Sequence, residues 1–318
     1  MDNILLVNNL SLSVNVNNRM LNLLSNISFE IGEGEVLGLI GETGCGKTLT
    51  SRSIIRLLPA RSKLAGEILF QGNDITKLQE KELARLRQKK IALIPQNPMT
   101  SLDPLFTVKQ QMYEILDHDL DKAKREKECS DVLSRVELKP ESVLNRKPYQ
   151  LSGGMLQRVL IAMAIIRKPS LIIADEITTA LDILTQTKVL SLLRRIHKEE
   201  RLSMIVVTHD MRVAQSLCDS ISVMYVGRII ESARTFDLLH SPKHPYTQAL
   251  LKSIPTINGK PLEPISGVVP GMANLPSGCK FRTRCPFEFD RCKEFEPGYT
   301  NVEQTSVACH LYSRGNNS

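Results

Sequence analysis

Two segments of this chain carry residue types suited to handling phosphate. GETGCGKT (41–48) follows an apolar run and opens a helical pattern, matching G-x-x-x-x-G-K-[ST] in the strand–loop–helix setting that the motif requires. Gly41, Gly44 and Gly46 let the backbone curl tightly and turn its N–H groups inward at a helix N-terminus, where anions are favoured. Lys47 adds a point charge for the β- and γ-phosphates, and the Thr48 hydroxyl is placed to ligate Mg²⁺. The expected phosphate-binding set is therefore Gly41, Glu42, Thr43, Gly44, Cys45, Gly46, Lys47, Thr48 and Leu49. Such a loop needs an acid on a second strand. LIIADE (171–176) supplies Asp175 for the Mg²⁺ shell and Glu176 to polarise an attacking water.

A different chemistry is written near the C-terminal end. Cys279, Cys285, Cys292 and Cys309 stand apart by x5, x6 and x16, while Cys45, Cys129 and Cys218 are scattered and read as buried or incidental thiols. A cytosolic chain is not expected to hold structural disulfides, so a cluster of four points to a metal. Zinc sites usually show C-x₂₋₄-C pairs, which are missing here. Longer spacers suit an iron–sulfur cluster, with zinc and plain reduced thiols as the alternatives.

The elements that must position these groups are legible as alternating patterns. EVLGLI (35–40), GEILFQ (66–71), KKIALIP (89–95), LIIAD (171–175) and MIVVTHD (204–210) read as largely buried strands. KTLTSRSIIRLL (47–58), KELARLRQ (81–88) and GMLQRVLIAMAIIRK (154–168) read as helices. Alternation of this kind predicts an α/β fold with a mainly parallel sheet covered on both faces. Past Ser232 prolines become dense and strand runs vanish, which places a domain boundary near residue 235. At 318 residues, about two domains are expected: 1–235 and a loop-rich module at 236–318.

Composition narrows the class. With 42% hydrophobic and 24% charged residues, whole-chain disorder, collagen and coiled coil are excluded. No apolar run reaches the ~18 residues of a membrane helix, and MDNILLVNNL lacks a signal-peptide pattern, so a cytosolic chain is expected. The net charge of +7 is spread evenly: nine Lys+Arg and seven Asp+Glu lie from Phe236 onward, leaving 32 and 27 before it. Trp is absent and aromatics make up only 4%, so stacking on single-stranded nucleic acid is disfavoured and no nucleic-acid partner is expected.

LSGGM (151–155) resembles the LSGGQ signature of the ATP-binding-cassette ATPases, and the rest of that family's set follows in order. Gln96 stands after a strand, TALD (179–182) matches the D-loop, and His209 closes MIVVTHD. IPQNPMTSLDP (94–104), ADEITTALD (174–182), HPYTQALL (244–251) and SGCKFRTRCPFEFDRC (277–292) are similar to the ATPase subunits of dipeptide, oligopeptide and nickel importers. The resemblance implies a P-loop NTPase with a helical signature subdomain at about 97–165. It also implies ATP hydrolysis with Glu176, His209 and Gln96 as catalytic groups, and Mg²⁺ at Thr48, Gln96 and Asp175.

In such ATPases two subunits face head to tail, so Ser152, Gly153, Gly154 and Asp182 would contact the partner's ATP. A 4Fe–4S cluster on Cys279, Cys285, Cys292 and Cys309 is implied for the tail. Implied partners are a second, paralogous ATPase forming a heterodimer, two transmembrane permease subunits that touch the segment 97–108, and indirectly an extracytoplasmic solute-binding protein. The implied location is the cytoplasmic face of the membrane, as a peripheral subunit. A nickel or metallophore importer, and more remotely a soluble non-transport ATPase, are the alternative roles. Three positions depart from the family pattern: Met155 replaces Gln, Ile177 stands where Pro follows the catalytic Glu, and Val14 aligns with the aromatic that stacks on adenine.

Overall fold

The computed structural model describes residues 3–16, 18–116, 119–179, 181–254 and 264–313. Two compact units emerge, one holding Lys77–Val206 with Gly32–Glu35, the other Leu5–Ile31, Val36–Thr76 and Val207–Ser318. The strand Ser203–Thr208 starts in the first unit and its last two residues belong to the second.

In the first unit Ile91–Ile94 runs parallel to Leu171–Asp175, pairing Ile91 with Leu171 through Ile94 with Ala174. LIIAD is buried along its whole length, as expected of a strand covered on both faces. The helices Val108–Ile115, Lys122–Arg135, Gly153–Ile165 and Ile183–Glu200 fill the rest. Each begins at a side chain that caps it: Thr107, Asp121, Ser152 and Asp182 accept from the backbone N–H groups of Gln110, Lys124, Met155 and Thr185. Gly153–Ile165 is apolar on nearly every side, with Leu156, Val159, Leu160, Ile161, Ala162, Ala164 and Ile165 buried. A helix of that kind belongs at a core, and each buried Leu or Ile contributes about 1.5–3 kcal/mol.

The second unit departs from the expected parallel architecture. One of its sheets has the order Arg19–Gly32, Asn3–Val16, Ser62–Phe70, Asn73–Asp74, and GEILFQ lies here, antiparallel to the N-terminal strand. In that strand Ile4, Leu5 and Val7 are buried, then Leu10, Leu12 and Val14, so past Ile4 the buried positions are odd before Asn8 and even after it. The switch from odd to even positions follows a bulge: Asn8 pairs with Glu67 but Ser11 with Ala65, so one extra residue turns every later side chain over.

In the other sheet Thr300–Val302, Thr305–Val307, Arg228–Arg234, Ser220–Tyr225 and Val36–Ile40 are neighbours in that order. Val36–Ile40 pairs parallel with Ser220–Tyr225, while the remaining pairs are antiparallel. The fold is α/β with mixed rather than mainly parallel pairing. The tail, expected to be free of strands, adds two of them to an edge of this sheet. Among the described residues no helix is long and apolar enough to cross a membrane.

Candidate nucleotide site

The glycine-rich loop leaves the fully buried strand Val36–Ile40 and enters the helix Lys47–Ile54. A side chain is impossible at Gly41, where a Cβ would stand 2.3 Å from the Met224 carbonyl oxygen. Gly46, at the helix N-cap, has φ 109°, a conformation that L side chains rarely adopt. The loop is tied down from below, because Gly227 N–H donates to the Cys45 carbonyl at 2.8 Å. Lys47 is buried, and its Nζ donates to the carbonyls of Gly41 (2.7 Å) and Glu42 (3.1 Å). Its charge is thus held over the loop backbone. Thr43 and Gly44 are exposed at the tip, Thr48 and Leu49 are half-buried, and Cys45 is buried with its thiol pushed up by burial.

A second layer braces the loop, and sequence reasoning missed it. Glu42 N–H donates to the Tyr246 hydroxyl at 3.0 Å. The Glu42 carboxylate accepts both Arg284 Nη1 (2.7 Å) and Nη2 (3.1 Å). The HPY segment explains how Tyr246 gets there. His244 caps the helix Pro245–Lys252, its Nδ1 accepting from Tyr246 N–H at 3.0 Å, and Pro245 takes the first helical position. Buried Glu231 accepts from the N–H groups of Lys243 (2.6 Å) and His244 (2.9 Å), and burial raises its carboxyl above the usual range. Tyr225, Tyr246 and Phe281 pack ring against ring, with centroids 4.8–5.4 Å apart. The available sequence signal was HPYTQALL itself, which resemblance noticed but residue chemistry did not explain.

In the first unit, LIIAD ends on buried Asp175, and Glu176 follows with φ 47°. Gln96 Nε2 donates to Glu176 Oε2 at 2.7 Å, and Thr179 Oγ1 donates to the same oxygen at 3.3 Å. Ile177, standing in for the usual Pro, is buried, so packing holds the turn in place of a ring. Ser152 Oγ accepts from Met155 N–H at 3.3 Å, leaving Gly153 and Gly154 at an accessible helix N-terminus. Asp182 accepts from the Thr185 hydroxyl (2.6 Å) and N–H (3.0 Å), and that hydroxyl holds its carboxyl below the ordinary value. Ala180 of the TALD turn lies outside the described residues. His209 belongs to the second unit with the glycine-rich loop; it is exposed, and Asp210 after it caps the helix Met211–Leu217. Val14 is buried.

The four clustered cysteines share one neighbourhood. Cys279 N–H donates to the Cys292 carbonyl at 2.9 Å. Burial, then the charges of Cys279, Cys285 and Cys292, push the Cys309 thiol up to about 12. Burial likewise raises Cys279 and Cys285. With their values raised, Cys279, Cys285 and Cys309 favour the protonated thiol, so a group that takes them as thiolates would have to bring positive charge. Among the described residues, however, no three His, Cys, Asp or Glu stand close enough to hold a single metal ion. Cys129 and Cys218 are buried thiols, both raised by desolvation.

This glycine-rich loop, acid-tipped strand and signature helix define an ATP-hydrolysing cassette. Residues 24–179 match the family described as ABC transporter, and residues 230–292 match the oligopeptide/dipeptide transporter C-terminal region. The chain is 42% identical over 298 residues to the dipeptide transport ATP-binding protein DppD of Haemophilus influenzae, covering 91% of this chain and 90% of that one. It is 40% identical over 319 residues to DppD of Bacillus subtilis, covering 98% and 95%. Among solved structures it resembles the ATP-binding cassette MJ0796, a dimer bound to ADP and Pi, with 28% identity and TM-score 0.65, covering 73% of this chain and 98% of that one. The chain belongs to the ATP-hydrolysing subunits of the ABC transporter family.

Proposed function

We propose that the chain is the energy-coupling ATPase of an importer of dipeptides or oligopeptides. The match of residues 230–292 to the oligopeptide/dipeptide transporter C-terminal region carries this reading, supported by relatives named for dipeptide transport. The domains would be the nucleotide-binding part, 1–235, and the cysteine-bearing module, 236–318. Lys47 and the N–H groups of residues 41–49 bind the triphosphate, and Thr48, Gln96 and Asp175 would hold Mg²⁺, which neutralises phosphate charge when bound. Glu176 orients and deprotonates water, Gln96 fixes the Glu176 carboxylate, and His209 faces the γ-phosphate. Ser152, Gly153, Gly154 and Asp182 act on ATP held by a paralogous partner ATPase. Two permeases, loaded by an extracytoplasmic solute-binding protein, convert the cycle into import, which puts this subunit on the cytoplasmic face.

The test is ATP hydrolysis by this chain reconstituted with its permeases and partner ATPase in liposomes. Stimulation by a peptide-loaded binding protein is expected. Stimulation by nickel or a metallophore alone would reassign the substrate and overturn the peptide reading.

Cys279, Cys285, Cys292 and Cys309 would hold a 4Fe–4S cluster, supplying folding energy to a module short of apolar core. The hydrogen bond from Cys279 N–H to the Cys292 carbonyl, which draws two of the four together, supports this. Anaerobically purified protein should contain iron and acid-labile sulfide, and Cys285→Ser should loosen the module while the ATPase core stays folded. Stoichiometric zinc without sulfide would remove the cluster.

A further inference from the structure

Glu42 poses a physical problem: it is a carboxylate in a loop whose remaining features, N–H groups, a helix N-terminus and Lys47, all favour anions. Left unpaired, it would repel an incoming triphosphate. The structure shows how it is dealt with. Arg284 lies 242 residues later in the chain, and its side chain is only 2% exposed against 28% for Glu42. The guanidinium grips both carboxylate oxygens, at 2.7 and 3.1 Å, in the planar fork that suits a carboxylate. Its Nε donates to the Ser266 carbonyl at 2.9 Å, and it sits 5.8 and 5.9 Å from the ring centroids of Tyr225 and Phe281. The arginine therefore has no freedom to swing away. On the other side, the Tyr246 hydroxyl takes the Glu42 N–H, so the backbone of this residue is fixed as well.

We infer that Arg284 is a positioning residue for ATP binding: it neutralises Glu42 and pulls its carboxylate back from the phosphate cradle. The inference rests on reading residues 41–48 as the triphosphate site. A glue role, in which the pair only attaches the tail segment to the loop, has different consequences. Glue would make either single change harmful and the double change no better. Charge compensation makes the two single changes act in opposite directions on nucleotide affinity and cancel when combined.

The experiment measures ATP, ADP and AMP affinity of the full chain for Arg284→Met, Glu42→Gln and the double variant, with Lys47→Ala as a control. Arg284→Met should weaken ATP binding about tenfold, and the loss should shrink from ATP to ADP to AMP because repulsion follows phosphate charge. Glu42→Gln keeps the backbone N–H and a side-chain acceptor but removes the charge, leaving the Arg284 cation uncompensated beside the loop, so ATP affinity should rise about threefold. The double variant should return to within about threefold of wild type. A double variant as weak as Arg284→Met, or an Arg284→Met chain with unchanged affinity, overturns the inference. If Arg284→Met does not fold, Glu42→Gln decides: tighter ATP binding sustains the inference, and unchanged or weaker binding overturns it. Unchanged ATP binding by Lys47→Ala would instead overturn the reading of the loop itself.

Discussion

Gln96 Nε2 donates to Glu176 Oε2 across 80 residues of sequence, at 2.7 Å. Gln96 and Glu176 each stand two residues past the paired Ile94 and Ala174 of neighbouring parallel strands, and that register sets the reach. Since Glu176 sits in a left-handed conformation without a proline behind it, this hydrogen bond and that from Thr179 hold the carboxylate.

With Glu176 as the proposed base, Glu176→Gln should keep ATP binding and reduce turnover at least 100-fold, as is typical for loss of a general base. Gln96→Ala should lower kcat about tenfold and move ATP affinity much less. Steady-state hydrolysis in the reconstituted complex checks both. A Glu176→Gln complex running near the wild-type rate would take the base elsewhere.

A Cβ on Gly154 would meet Thr185 Cγ2 at 2.6 Å, and Thr185 is the residue hydrogen-bonded twice to Asp182. Gly154→Ala should therefore displace both the signature and the D-loop, cutting hydrolysis about tenfold or more while the fold persists. Thr185→Ser removes the clashing methyl and keeps the hydroxyl, so the pair Gly154→Ala/Thr185→Ser should recover most of the rate. Failure to recover would mean that Gly154 acts through contact with ATP alone.

His244 is buried, and desolvation lowers its pKa from 6.5 to about 3. The unfolded chain binds a proton between those values and the folded chain does not. Its contribution is complete above pH 6.5 and drains away as pH falls toward 3, at about 1.4 kcal/mol per unit. By pH 5 wild type should lose about 2 kcal/mol relative to His244→Asn, which retains a capping acceptor without titrating. Denaturant midpoints at pH 8 and pH 5 give the difference, and parallel falls for the two proteins would exclude His244.

Val14, which aligns by resemblance with the aromatic that stacks on adenine, is a buried aliphatic residue. GTP should compete with ATP within about tenfold, or ~1.4 kcal/mol. A much larger preference for ATP would assign base reading to another side chain.

Local chemistry made the nucleotide motifs readable. Loop glycines, Lys47, Thr48, Asp175 and Glu176 act through backbone geometry within a few residues, so their identities and order suffice. LIIAD was readable because burial on both faces leaves an unbroken apolar run. The N-terminal strand escaped notice because the bulge after Asn8 flips its alternation midway, hiding a period of two.

Strand partners were not readable either. Periodicity reports which face is buried and says nothing of the neighbour, so GEILFQ joined an antiparallel sheet and Thr305–Val307 paired with Arg228–Arg234. The tie of Glu42 to Tyr246 and Arg284 spans more than 200 residues and depends on rings packed in a core. No pattern in the chain announces that a charge near one end will meet its counter-charge near the other. Only closure of the tertiary fold brings them into contact.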